Sequence, residues 1–128
     1  MEIAGKFIHP AIQAAVEFWR ENLGELVSAD KAEIFREALS LELAKLYDSA
    51  EGIIEVHAKV PNLKRYTLFE KPNRPSGVLQ AALKKAKLKP DVLPSGAMLS
   101  LSTTVVKVYL SGGDSDDSMP TERIIWKK

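Results

Sequence analysis

Cysteine is absent from this chain, and with it go disulfides, thiolate nucleophiles and every cysteine-based zinc or iron–sulfur site. Long hydrophobic runs are missing as well. No apolar stretch approaches the roughly 18 residues needed to span a bilayer, and Met1 to Ile8 lacks the charged-then-apolar layout of a secretory signal. The expectation is a soluble, cytoplasmic protein with no membrane partner and no export signal. Charge of one sign is also lacking: 18 Lys and Arg stand against 17 Asp and Glu, leaving a net charge of +1. No global field then draws polyanions, and nucleic-acid binding would need a local cluster of cations. Nor does any spacing of nucleophile, base and orienting group, or any set of metal ligands, stand out. The expectation is a non-enzymatic protein with no cofactor, no catalytic residue and no metal site.

The composition that remains is that of an ordinary folded domain. A chain of 128 residues, with 45% hydrophobic and 27% charged side chains, reads as one domain over residues 1–128. It is long enough to bury roughly two thirds of the surface its unfolded form exposes. One hydrophobic core should hold it without staples.

Two apolar-periodic helices open the pattern. Pro10 suits a first helical turn, with His9 before it as the helix-start residue, and Ile8, Ile12, Ala15 or Val16, Trp19, Leu23 and Leu26 recur three and four apart. This predicts a helix from Pro10 to about Gly24, with Trp19 in the core and Glu17, Arg20 and Glu21 on the wet side. Asp30 followed by Glu33 has the form of a capping box and starts a second helix. Its main stripe is Phe35, Leu39, Leu43 and Leu46, and a shorter one of Ile34, Ala38 and Leu41 adjoins it. Two neighbouring stripes predict a central helix covered on more than one side over its first three turns.

The period then changes to two. Ile54, Val56, Ala58 and Val60 alternate with Glu55, His57 and Lys59, and Arg65 to Glu70 supplies a second strand after the Pro61-Asn62 turn. Two prolines make Lys71 to Pro75 a loop, and Ser76 can cap a shorter helix carrying Val78, Leu79, Ala82, Leu83 and Ala86 on one face. Pro90 and Pro94 leave room between them for at most one turn of helix. From Ala97 to Leu110 the alternation resumes, as one long bent strand or as two joined near Ser102 to Thr104. Arg123 to Trp126 reads as a last strand. The sum is an α+β fold: two N-terminal helices and a shorter third packed on a mostly antiparallel sheet of four to five strands.

Several groups can carry chemistry or contacts. Asp114, Asp116 and Asp117 are hard-cation ligands by type, but their spacing departs from the EF-hand loop and no bidentate Glu follows, so a solvated hairpin loop is the expectation. Glu55 and His57, two apart on a strand, point to one side and read as exposed polar residues rather than an acid–base pair. Lys84, Lys85, Lys87 and Lys89 form the most basic segment, with Lys71 and Arg74 near in sequence. That face would serve as a solvated helix surface, hold an acidic protein partner, or grip phosphates with only Tyr66 and Phe69 nearby for stacking. Trp126 either seals the sheet or stays available to a partner, and Tyr109 carries the same ambiguity. The candidate partner-binding residues are therefore Tyr109, Trp126, Lys84, Lys85 and Lys87.

The order of elements resembles the BTG/Tob antiproliferative domain over roughly residues 8–126. The residues that carry it are Ile12 to Phe18, the series Phe35, Leu39, Leu43 and Tyr47, then Arg65-Tyr66, and Leu93-Pro94 before Met98 to Leu101 and Val106 to Val108. Where that family's first box has a His-Trp-Tyr-Pro core, this chain has Glu51 to Val56. Where its second has Leu-Trp-Val-Asp-Pro, this chain has Ser100 to Thr104. The family's deadenylase-binding surface is therefore not carried over residue by residue. What the resemblance implies is a non-enzymatic, adaptor-like or regulatory scaffold with a protein partner of its own. The alternative function is nucleic-acid binding through the Lys84 to Lys89 face.

Overall fold

A computed structural model describes residues 2–3, 5–49, 53–58, 77–94, 96–110 and 121–128. The first helix, α1 (Pro10–Glu21), starts as its sequence asks. Pro10 occupies the first turn, where its missing N–H costs nothing, and the Ala11 N–H donates to His9 Nδ1 at 3.0 Å. That bond requires the imidazole to be an acceptor at Nδ1. Ala11, Ile12, Ala15, Val16 and Trp19 make its buried stripe. The helix ends before Gly24, because Asn22 Nδ2 donates to the Phe18 carbonyl at 2.7 Å and takes over its last turn. Leu26 is wholly exposed, so the apolar stripe does not continue past the helix.

The second helix, α2 (Ala29–Ser49), is capped two residues earlier than the Asp30/Glu33 pattern suggests. Ser28 Oγ accepts the Lys31 N–H at 3.3 Å and its carbonyl takes the Ala32 N–H at 2.9 Å. Asp30 instead sits in the first turn facing the positive end of the helix dipole, and Glu33 turns outward to pair with Arg36. The wrapped central helix is also corrected. Phe35, Leu39, Ser40, Leu43 and Ala44 are buried, but Ile34 is 43% and Leu46 39% exposed. One face is enough because α2 packs against α1 and α3 (Gly77–Lys85), leaving its second stripe at the rim. Within that face Ser40 is silenced by donating to the Arg36 carbonyl at 2.7 Å.

The sheet contains β3 (Ile54–His57), β4 (Ala97–Leu101), β5 (Val105–Leu110) and β6 (Thr121–Lys127), antiparallel throughout and in that order. Two strands, not one bent strand, span 97–110. Ser102 Oγ accepts the Val105 N–H at 3.2 Å while the Ser102 N–H donates to the Val105 carbonyl at 3.0 Å, closing a tight hairpin. Ile54, Val56, Ala97, Leu99, Leu101, Val106 and Val108 are buried, which is one alternating face. α1 lies against β4, β5 and β6, and α3 against β3, so the helices cover that face. Trp19, Phe35, Leu39, Leu43, Leu79, Leu83, Leu99 and Leu101 meet between the layers. The architecture is α+β.

A short hairpin of β1 (Glu2–Ile3) and β2 (Lys6–Phe7) precedes α1 and has no counterpart in the sequence reading. Gly5 turns it at φ +78°, a conformation open to glycine without strain. The expected strand at 65–70, the capping Ser76 and the acidic loop with Asp114, Asp116 and Asp117 lie outside the described residues. No helix among the described residues is long and apolar enough to cross a membrane.

Candidate functional site

Helix α3 buries Leu79, Ala82 and Leu83 and leaves Gln80, Ala81, Lys84 and Lys85 exposed. Its end decides the local shape. The Leu88 N–H donates to the Leu83 carbonyl at 2.8 Å and the Lys87 N–H to the Lys84 carbonyl at 3.1 Å, the paired bonds of a Schellman cap. Such a cap needs a left-handed residue, and Lys87 supplies it at φ +58° where glycine is usual. The reversal folds Leu88 back against the core. Lys89 is extended, as a residue before proline must be, and Pro90–Val92 forms a single 3-10 turn. That turn is tied to the α1 side by the Gly24 N–H, which donates to the Val92 carbonyl at 2.9 Å.

Between α3 and this returning segment lies an open groove of about 400 Å³ lined by Gln80, Ala81, Leu83, Lys84, Leu88 and Pro90. Its floor is aliphatic. Its margin is mostly cationic: Lys84 lines it, Lys85, Lys87 and Lys89 flank it in sequence, and Asp91, next to Pro90, is the one carboxylate over residues 77–92. Elsewhere Arg20, Arg36, Lys45 and Lys107 each have a carboxylate partner, whereas the four lysines here have none among the described residues. They do complement the negative end of the α3 dipole, which accounts for part of their presence.

The five candidate residues fall in three places. Lys84, Lys85 and Lys87 belong to the groove and its cap. Trp126 pairs with Val106 and so faces the helices, half-buried, with its ring edge-on to His9 at 5.8 Å. His9 in turn stacks on Tyr47 at 5.1 Å. Of the two roles open to Trp126, sealing the sheet against the start of α1 is the one its contacts fill. Tyr109 alternates with Val108 and points to the other side of the sheet, opposite Met98 and Glu122. Tyr109 and Trp126 therefore cannot form one surface. A bulge at Val106/Lys107, which leaves Ile125 without a partner, sets Trp126 in that position.

Glu55 and His57 do share a sheet side, but only Glu55 is exposed. His57 is 8% exposed, contrary to the expectation of an open strand residue, and its Nδ1 lies 3.0 Å from the Ala58 carbonyl, to which it donates. Among the described residues no group of three or more His, Asp or Glu could hold a metal ion. Trp19 Nε1 and Tyr47 Oη are buried and have no hydrogen-bond partner among the described residues, and burial pushes the Tyr47 phenol above its ordinary value. No known protein-family model matches the chain, and no curated protein matches it either.

The groove itself was not legible as a site in the sequence. Its basic segment was visible, but Leu83, Leu88 and Pro90 converge only because the chain reverses at Lys87. The one local signal is the apolar Leu88 just past the helix, since the glycine that usually marks such a cap is absent.

Proposed function

We propose that this chain is a non-enzymatic protein-interaction module, adaptor or regulatory in role, whose contact face is the lysine-margined groove on α3. The observation that carries the reading is the pairing of an aliphatic floor, Leu83, Leu88, Ala81 and Pro90, with Lys84 at its edge and three further lysines close in sequence, none with a carboxylate partner among the described residues. Apolar anchors surrounded by polar contacts are how protein surfaces recognise one another. The order of α1, α2, β3, α3, the Leu93-Pro94 turn and the β4–β5 hairpin supports extending the proposal to a BTG/Tob-like architecture. A cytoplasmic setting belongs to the same proposal, and fractionation of the native cells tests it.

A second reading uses the same lysines to hold nucleic-acid phosphates. Its support is the local charge; its weakness is that none of the six groove-lining residues is an aromatic on which a base could stack. The two readings separate in solution. The whole chain, and the same chain carrying Ala81→Glu, are used to capture proteins from the native host. A defined protein retained by the first and lost by the second supports the module. No reproducible protein at near-native abundance, together with steeply salt-weakened RNA or DNA binding, supports the alternative.

A further inference from the structure

Resting on that protein-interaction reading, we infer that the α3 groove takes a short acidic segment of a partner protein, anchored by aliphatic side chains and held by Asp or Glu against the lysines. The floor selects the anchors. Leu83 and Leu88 are branched aliphatic side chains with Ala81 and Pro90 beside them, a surface that rewards leucine- or isoleucine-like groups and offers nothing directional to an aromatic base or sugar. The margin selects the charge. Four lysines stand against the single carboxylate of Asp91 over residues 77–92 of a chain whose net charge is only +1, so this segment carries a local excess of positive charge. A cationic segment is repelled there and a neutral one gains only the floor, whereas an acidic one is both steered to it and held in register.

Size fits the same occupant. From Gln80 to Lys85 the helix rises roughly 8 Å, room for about one and a half turns of a docked helix or two to three extended residues. A groove of about 400 Å³ accommodates a few side chains, not a domain edge. Lys87 adds an independent sign. Glycine would take its left-handed conformation without strain, yet the position carries a lysine, which places a fourth cation next to Leu88 at a cost to the backbone.

The test is fluorescence anisotropy of the full chain with four dye-labelled probes: an acidic peptide with two leucines one helical turn apart, the same peptide with serines for leucines, the same with lysines for its acids, and a single-stranded oligonucleotide. Binding of the first alone, weakened at least about tenfold by Lys84→Glu and by Ala81→Glu, is the expected result. Lys31→Glu, the same charge change on an exposed residue of α2, leaves it unchanged. Circular dichroism verifies that each variant is folded. Equal binding of the serine peptide, preference for the oligonucleotide, indifference to Lys84→Glu, or no binding of the leucine peptide each overturns the assignment. A host protein still captured through the groove while all peptides fail would leave the module standing and remove only the acidic segment; loss of both removes both.

Discussion

Replacing Lys87 by glycine should strengthen the fold and weaken its binding face at once. In the left-handed region a side chain with a Cβ crowds the following carbonyl at about 1–2 kcal/mol, and glycine removes that cost. Against it stands the greater freedom of glycine in the unfolded chain, about 0.5–1 kcal/mol, and the loss of one cation near the negative end of α3, about 0.3 kcal/mol. The balance at φ +58° is a gain of about 0.5 kcal/mol, or a rise of a few degrees in Tm for a domain of this size. Lys87→Ala is the control. It keeps the crowding and loses the charge, so it should be neutral to slightly destabilising. Urea unfolding followed by circular dichroism reads both variants, and Lys87→Gly should shift the midpoint upward with an unchanged slope. A glycine variant less stable than the alanine one would refute the reasoning, since it would mean that the lysine side chain, not the backbone, stabilises the cap.

Other expectations concern the helices and the buried phenol. Leu39→Ala should cost about 2–5 kcal/mol, as a fully buried large-to-small change does, whereas Ile34→Lys should stay within about 0.5 kcal/mol because Ile34 itself is exposed; chemical denaturation of the two separates them. Ser28→Ala should destabilise by about 1 kcal/mol through loss of the cap to Lys31, and Asp30→Ala by less than half of that. Tyr47 titrates above its ordinary value because burial disfavours the phenolate. The stability it contributes is complete below about pH 10 and is lost as pH rises through the folded value, since the unfolded chain ionises first. Tyr47→Phe should flatten that alkaline loss and, by removing a buried hydroxyl without a partner among the described residues, be neutral or stabilising by up to about 1 kcal/mol at neutral pH; an unfolding series from neutral to alkaline pH measures both.

Periodicity explains what was readable beforehand. α1, α2, α3 and the strands from β3 to β6 each extend over enough residues for a period of three to four or of two to show, and their buried faces follow from it. The β1–β2 hairpin has two residues per strand, too few to carry a period, and its turn rests on the single Gly5. Burial was over-read where two apolar stripes adjoin on α2. Spacing says that Ile34 and Phe35 lie on neighbouring flanks, but only the position of α1 and α3 decides which flank is covered. The cap was displaced for a similar reason: Ser28 and Asp30 are both good capping residues, and the Glu33 that suggested a box is engaged by Arg36 instead. At the candidate site, charge was legible because lysines cluster in sequence. The floor was not, because it is assembled across a chain reversal, and the split of Tyr109 from Trp126 depends on a bulge that no pattern announced.

The central claim is that the groove on α3 is where a partner's acidic segment docks. Amide chemical shifts of the nitrogen-15-labelled full chain, followed while the leucine-bearing acidic peptide is added, test it most directly. The account predicts that the perturbed amides concentrate at Gln80, Ala81, Leu83, Lys84 and Leu88 and saturate together. Perturbations centred on Tyr109 or on the Trp126 indole, or shifts that never saturate at any residue of α3, would contradict it.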